Sequence, residues 1–60
     1  MAMLKDDLLT GAKAAGDYIG RSRTAIYHMV ERGELPVVRK GNRLYFRKSE
    51  LEAAFRSEAA

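Results

Sequence analysis

A chain of 60 residues with eleven lysines and arginines against eight acidic side chains, net charge +3, leaves room for one small domain. Folding at this length buries roughly 60% of the unfolded surface, too little to enclose a substrate cavity, and the lack of cysteine excludes disulfide staples and thiolate metal ligands. The apolar runs are too short to span a bilayer, and Met1 to Leu9 lacks the apolar stretch of a secretion signal, so a cytoplasmic, unprocessed chain is expected.

In chain order, Asp6-Asp7 reads as a solvated acidic pair and Leu8-Leu9 as an apolar lead-in to the first helix. Thr10 is placed to cap a helix from about Gly11 to Ile19, with Ala12, Ala15 and Ile19 at core-facing spacing. Gly11 and Gly16 each weaken that helix by about 1 kcal/mol relative to alanine, so a loose first helix held by tertiary packing is expected. Gly20 supplies a tight turn, and Ser22 caps a second helix running from about Arg23 to Arg32. Ile26, Met29 and Val30 form its buried stripe, and Gly33 with Pro36 ends it.

Beyond Pro36 the pattern becomes β-like. Val37-Val38 and Leu44-Tyr45-Phe46 flank Arg39-Lys40-Gly41-Asn42-Arg43, which predicts a two-stranded hairpin with a basic tip and a Gly-Asn turn. Ser49-Glu50-Leu51-Glu52 has the form of a capping box, opening a third helix with Leu51, Ala54 and Phe55 turned inward. Residues 57–60 are expected to fray, leaving an ordered core at about 8–56.

Charge is distributed unevenly along these elements. Residues 1–20 hold two lysines against three aspartates, and residues 49–60 hold one arginine against three glutamates. Residues 21–48 hold eight cations against Glu31 and Glu34. A positive field focused on the second helix and the hairpin suits a polyanionic partner, whereas a merely solvated face has no need of such concentration. On a helical wheel Arg23, Thr24, Tyr27 and His28 project outward from the N-terminal half of the second helix, with Arg21 and Ser22 just before it. Arginine pairs bidentately with guanine in the major groove, threonine and tyrosine reach phosphate or a thymine methyl, and a helix N-terminus attracts phosphate. At the hairpin, Arg39, Lys40, Asn42 and Arg43 surround a turn of little bulk, suited to a narrow minor groove. Protection of a sheet edge by charge is the competing explanation there.

No catalytic or metal constellation is present. His28 is the single histidine, Asp6-Asp7 has no partner base, and Gly11 to Gly16 has phosphate-loop spacing without the Lys-Ser/Thr that must follow. Neither enzyme activity nor a cofactor is expected.

Taken together, Leu9-Thr10, Ala15-Gly16-Asp17-Tyr18-Ile19-Gly20, Ser22-Arg23-Thr24-Ala25-Ile26-Tyr27, Gly33-Glu34-Leu35-Pro36-Val37, Arg43-Leu44-Tyr45-Phe46 and Ser49-Glu50-Leu51-Glu52-Ala53 resemble the excisionase-like, MerR-related winged-helix domains of phages and mobile elements. The resemblance runs from Leu8 to about Phe55 and departs from the family pattern at Arg21, usually apolar, and at Gly16, usually alanine. It implies a mainly α fold with a small β-hairpin: two helix-turn-helix helices, a two-stranded wing and a C-terminal helix in one domain spanning 1–60. By the same resemblance the second helix enters the major groove of double-stranded DNA and the wing, 37–46, lies at the minor groove.

The expected role is then architectural, in site-specific recombination beside a recombinase. With one recognition helix per chain, the expected form is a monomer in solution that assembles cooperatively on DNA of the nucleoid. A small transcriptional regulator working with RNA polymerase, a packaging-subunit module and a protein adaptor with a basic docking face are the alternatives.

Overall fold

The computed structural model describes residues 3–56, so the expected fraying of residues 57–60 falls outside the described residues. The order of elements is α1 (Leu4–Asp7), β1 (Leu8–Thr10), α2 (Gly11–Ile19), α3 (Arg23–Glu31), β2 (Val38–Lys40), β3 (Arg43–Arg47) and α4 (Lys48–Ala54). The helix-turn-helix pair α2–α3, the β2–β3 wing and the closing helix correspond to the winged helix-turn-helix expected from the sequence.

The joint between α2 and α3 is built from three local interactions. Gly20 ends α2 in the left-handed region, φ 76° and ψ 37°, where a side chain is penalised. Arg21 N–H then donates back to the Gly16 carbonyl at 2.8 Å. Ser22, in extended conformation, accepts from Ala25 N–H at 3.1 Å and caps α3 as expected. At the far end Gly33 N–H donates to Val30 and Glu34 N–H to Met29, the paired bonds of a Schellman motif.

Gly16 is not a loosening residue. A Cβ built on it would lie 2.4 Å from the Arg21 carbonyl oxygen and 3.4 Å from Ile26 Cγ1, closer to the turn than a side chain can come. Glycine stands there despite its low helix propensity because the turn needs the space. Thr10 does stand at the N-cap of α2, but its side chain makes no capping bond.

The sheet is larger than the sequence suggested. Leu8-Leu9-Thr10 is a strand, β1, and it pairs antiparallel with β3 to give the order β1-β3-β2. The register sets Leu9 opposite Phe46 on the core face and Val38 opposite Tyr45 on the outer face. Phe46, Ile26 and Leu51 are the largest fully buried side chains, joined by Ala12, Ala15, Val30 and Leu35. Leu9, Ile19, Met29, Val37 and Leu44 pack around them.

Three expectations for the ends of the chain are corrected. Asp7 is not solvated: it is 9% exposed and accepts from Arg47 Nε at 3.0 Å, Ser49 N–H at 2.9 Å and Ser49 Oγ at 2.8 Å. That arrangement also replaces the capping box, because α4 begins at Lys48 with Arg47 at its N-cap and Ser49 committed to Asp7. Ala54 and Phe55 are exposed rather than inward, since α4 ends at Ala54 and the helical spacing from Leu51 lapses there. Besides the Asp7 clasp, α4 is held to α2 by Tyr18 Oη donating to the Glu52 carboxylate, which raises the phenol above its ordinary value of 10.0.

The Ser49 hydroxyl, with its backbone N–H and Arg47, holds the Asp7 carboxyl below its ordinary value of 3.8. A depressed carboxylate contributes stability that is complete above the unfolded value and lost as pH falls through the folded one. The stability difference between the native chain and Asp7→Asn is therefore expected to be constant near neutral pH and to shrink below about pH 4. Urea denaturation across pH 2.5–7 checks this; a difference independent of pH would show that the Asp7 charge contributes nothing.

Candidate nucleic-acid interface

Arg21 and Ser22 sit in the α2–α3 joint, and Arg23, Thr24, Tyr27 and His28 stand on α3; all six are exposed. The opposite side of α3 carries the buried Ile26 and Val30 and the half-buried Met29, so the outward and inward faces are as the spacing predicted. Because the Ser22 oxygen accepts from Ala25 N–H, its own proton is left to donate outward. Arg21 also borders a cleft with Tyr18, Ile19, Leu51, Glu52 and Phe55, which turns part of it toward α4. His28 gathers with Glu31 and Arg32 around a shallow hollow, in a less positive setting than Arg23.

The wing divides its cations between two faces. Lys40 is directly opposite Arg43 across the hairpin, whereas Arg39 is opposite Leu44, whose side belongs to the core-facing surface. Lys40 and Arg43 thus share the outer face with Val38, Tyr45 and Arg47, and Arg39 leaves from the other. Gly41 takes φ +59° at the first turn position and Asn42 has no positive φ, the signature of a II′ rather than a I′ turn. Arg39, Lys40, Asn42 and Arg43 are all exposed.

Neutralisation separates these residues from Lys13, Arg47 and Lys48, but not from Lys5, Arg32 and Arg56, which also have no ion pair among the described residues. Among the described residues, ion pairs join only Lys13 with Asp17 at 2.9 Å and Arg47 with Asp7 at 3.0 Å. Lys48 lies 5.9 Å from the centre of the Tyr18 ring. Arg47 and Lys48 therefore have internal partners. Arg21, Arg23, Arg39, Lys40 and Arg43 have no carboxylate within 4.0 Å among the described residues. The Lys40–Arg43 pair is itself unfavourable, because like charges placed directly across an antiparallel pair repel. Among the described residues no group of acidic, histidine or cysteine side chains is arranged to hold a metal ion, and no helix is long and apolar enough to cross a membrane.

The chain gives no significant match to a curated protein or to a solved structure. Residues 8–59 match the family model described as a helix-turn-helix domain, a span that takes in β1, the α2–α3 pair, the wing and α4. The chain belongs to the excisionase-like helix-turn-helix domain family, a DNA-binding family.

Proposed function

We propose that this chain acts as one winged helix-turn-helix unit that binds double-stranded DNA sequence-specifically. In this reading α3 enters the major groove through Arg23, Thr24, Tyr27 and His28. Arg21 and Ser22 take phosphates at its N-terminus, and Arg39, Lys40, Asn42 and Arg43 follow the neighbouring minor groove. The observation that carries it is the repelling Lys40–Arg43 pair beside a bulk-free turn, a local cost that a polyanion converts into attraction.

The biological role proposed is architectural. The protein occupies adjacent sites, assembles cooperatively, and biases a recombinase during site-specific recombination of a mobile element. Family membership supports the DNA binding, and the recombination role rests on the resemblance of the sequence to excisionase-like domains. Control of transcription by the same contacts is the nearest alternative, and genes adjacent to an integrase or to a regulated promoter distinguish the two.

Selection from a pool of random duplexes near physiological salt tests the reading. An enriched short motif is the expected result, and retention without enrichment would replace sequence readout with charge-driven binding. Neutralising about five phosphates gives a log–log salt slope of roughly −4 to −5. Arg43→Ala is expected to weaken binding to all sequences and to reduce that slope by about 1. An unchanged affinity and slope would remove the wing from the interface.

A further inference from the structure

One charge on α3 runs against its setting. Glu31 is the single acidic side chain of that helix, in a region 21–48 where eight cations stand against Glu31 and Glu34. It is exposed and lies two helical turns beyond Thr24 and three residues beyond His28, on the outward face. His28 and Arg32 line a hollow with it, yet neither comes within 4.0 Å of its carboxylate. At the last turn an acid also faces the negative pole of the helix. The position is unfavourable both to the helix and to a surface that meets phosphates.

We infer that Glu31 reads a cytosine in the major groove, as a specificity-determining residue beyond those named so far. The inference rests on the DNA-binding reading above. The nine residues of α3 span about 13.5 Å, comparable with a major groove about 12 Å wide, so the last turn stays within reach of base edges. A carboxylate only accepts hydrogen bonds, and the groove offers it two donors, the exocyclic amines of cytosine and adenine. The adenine amine adjoins N7, whose lone pair repels a carboxylate; the cytosine amine has no such neighbour. The paired guanine presents O6 and N7 as acceptors, and Arg32 and His28 in the same hollow supply donors to match. Every other base edge sets an acceptor against the carboxylate. Selectivity is gained here at the expense of general affinity.

Glu31→Gln tests this, because the side chain keeps its shape while one acceptor oxygen becomes a donor, and glutamine pairs with adenine through N6 and N7. The native chain and the variant are each selected against the same pool of random duplexes. The expected result is a motif changed at one position, from cytosine to adenine, with the other positions kept. On duplexes differing only in that base pair, the native chain is expected to prefer cytosine by about 5- to 150-fold. The variant should lose or reverse that preference and bind unselected duplex more tightly, since a negative charge has left the interface. Its melting curve checks that this exposed substitution leaves the fold intact. An unchanged motif, with affinity the same or shifted equally on all sequences, overturns the inference and leaves Glu31 without a base to read. If the native chain selects no motif, the sequence-specific reading itself falls and takes this inference with it. A native motif that survives Glu31→Gln unaltered rejects the role of Glu31 alone.

Discussion

Phe46→Ala is expected to remove most of the stability of the fold. Phe46 is fully buried on the central strand, where it faces Leu9 across the β1–β3 pairing and fills the space between the helices and the sheet. Truncation of a buried phenylalanine costs about 3–5 kcal/mol. A domain of this length has roughly 3–9 kcal/mol in total, so the variant lies near or past its unfolding midpoint at 25 °C. Loss of a cooperative transition in circular dichroism melting is the expected observation. A melting curve within a few degrees of the native one would mean that the core does not depend on this side chain.

The second large effect is expected at Ile26→Ala, about 2–5 kcal/mol of stability. Ile26 is fully buried and is the residue through which α3 packs down beside Gly16 and the turn. Its loss leaves a cavity under the N-terminal half of α3, directly beneath Arg23, Thr24 and Tyr27. DNA affinity is expected to fall along with the folded fraction, and cooling or a stabilising osmolyte should restore both together. Affinity that stays low in a fully folded sample would show that Ile26 also sets the pose of α3. An unchanged denaturation curve would mean that the two faces of α3 are assigned the wrong way round.

Much of this architecture was legible because its determinants are local. Ile26, Met29 and Val30 repeat at helical spacing, Ser22 caps the residue three positions on, and Gly20 stands at the turn. The features that escaped depend on distant partners. Asp7 meets Arg47 and Ser49 across 40 and 42 residues, and no local rule announces that register. The same clasp defeats the capping box, because Ser49 is engaged by a carboxylate from the other end of the chain before it can serve its own helix. β1 escaped for a related reason: three residues between two helices become a strand only when β3 supplies hydrogen bonds. At the interface, exposure of every named cation followed from the pattern, whereas the division of Arg39 from Lys40 and Arg43 needed the strand register.

The contact between Gly16 and the Arg21 carbonyl makes the α2–α3 joint a mortise and tenon. Helix α2 meets the turn at backbone atoms and α3 at the Ile26 side chain, so the turn is held tight against α2. An alanine at position 16 requires the Arg21 carbonyl to move away from α2, so that one exchange shifts the angle at which α3 is presented. The outward residues Arg23, Thr24, Tyr27 and His28 take no part in that contact, so the letters on the stamp can be exchanged while the turn alone sets its angle.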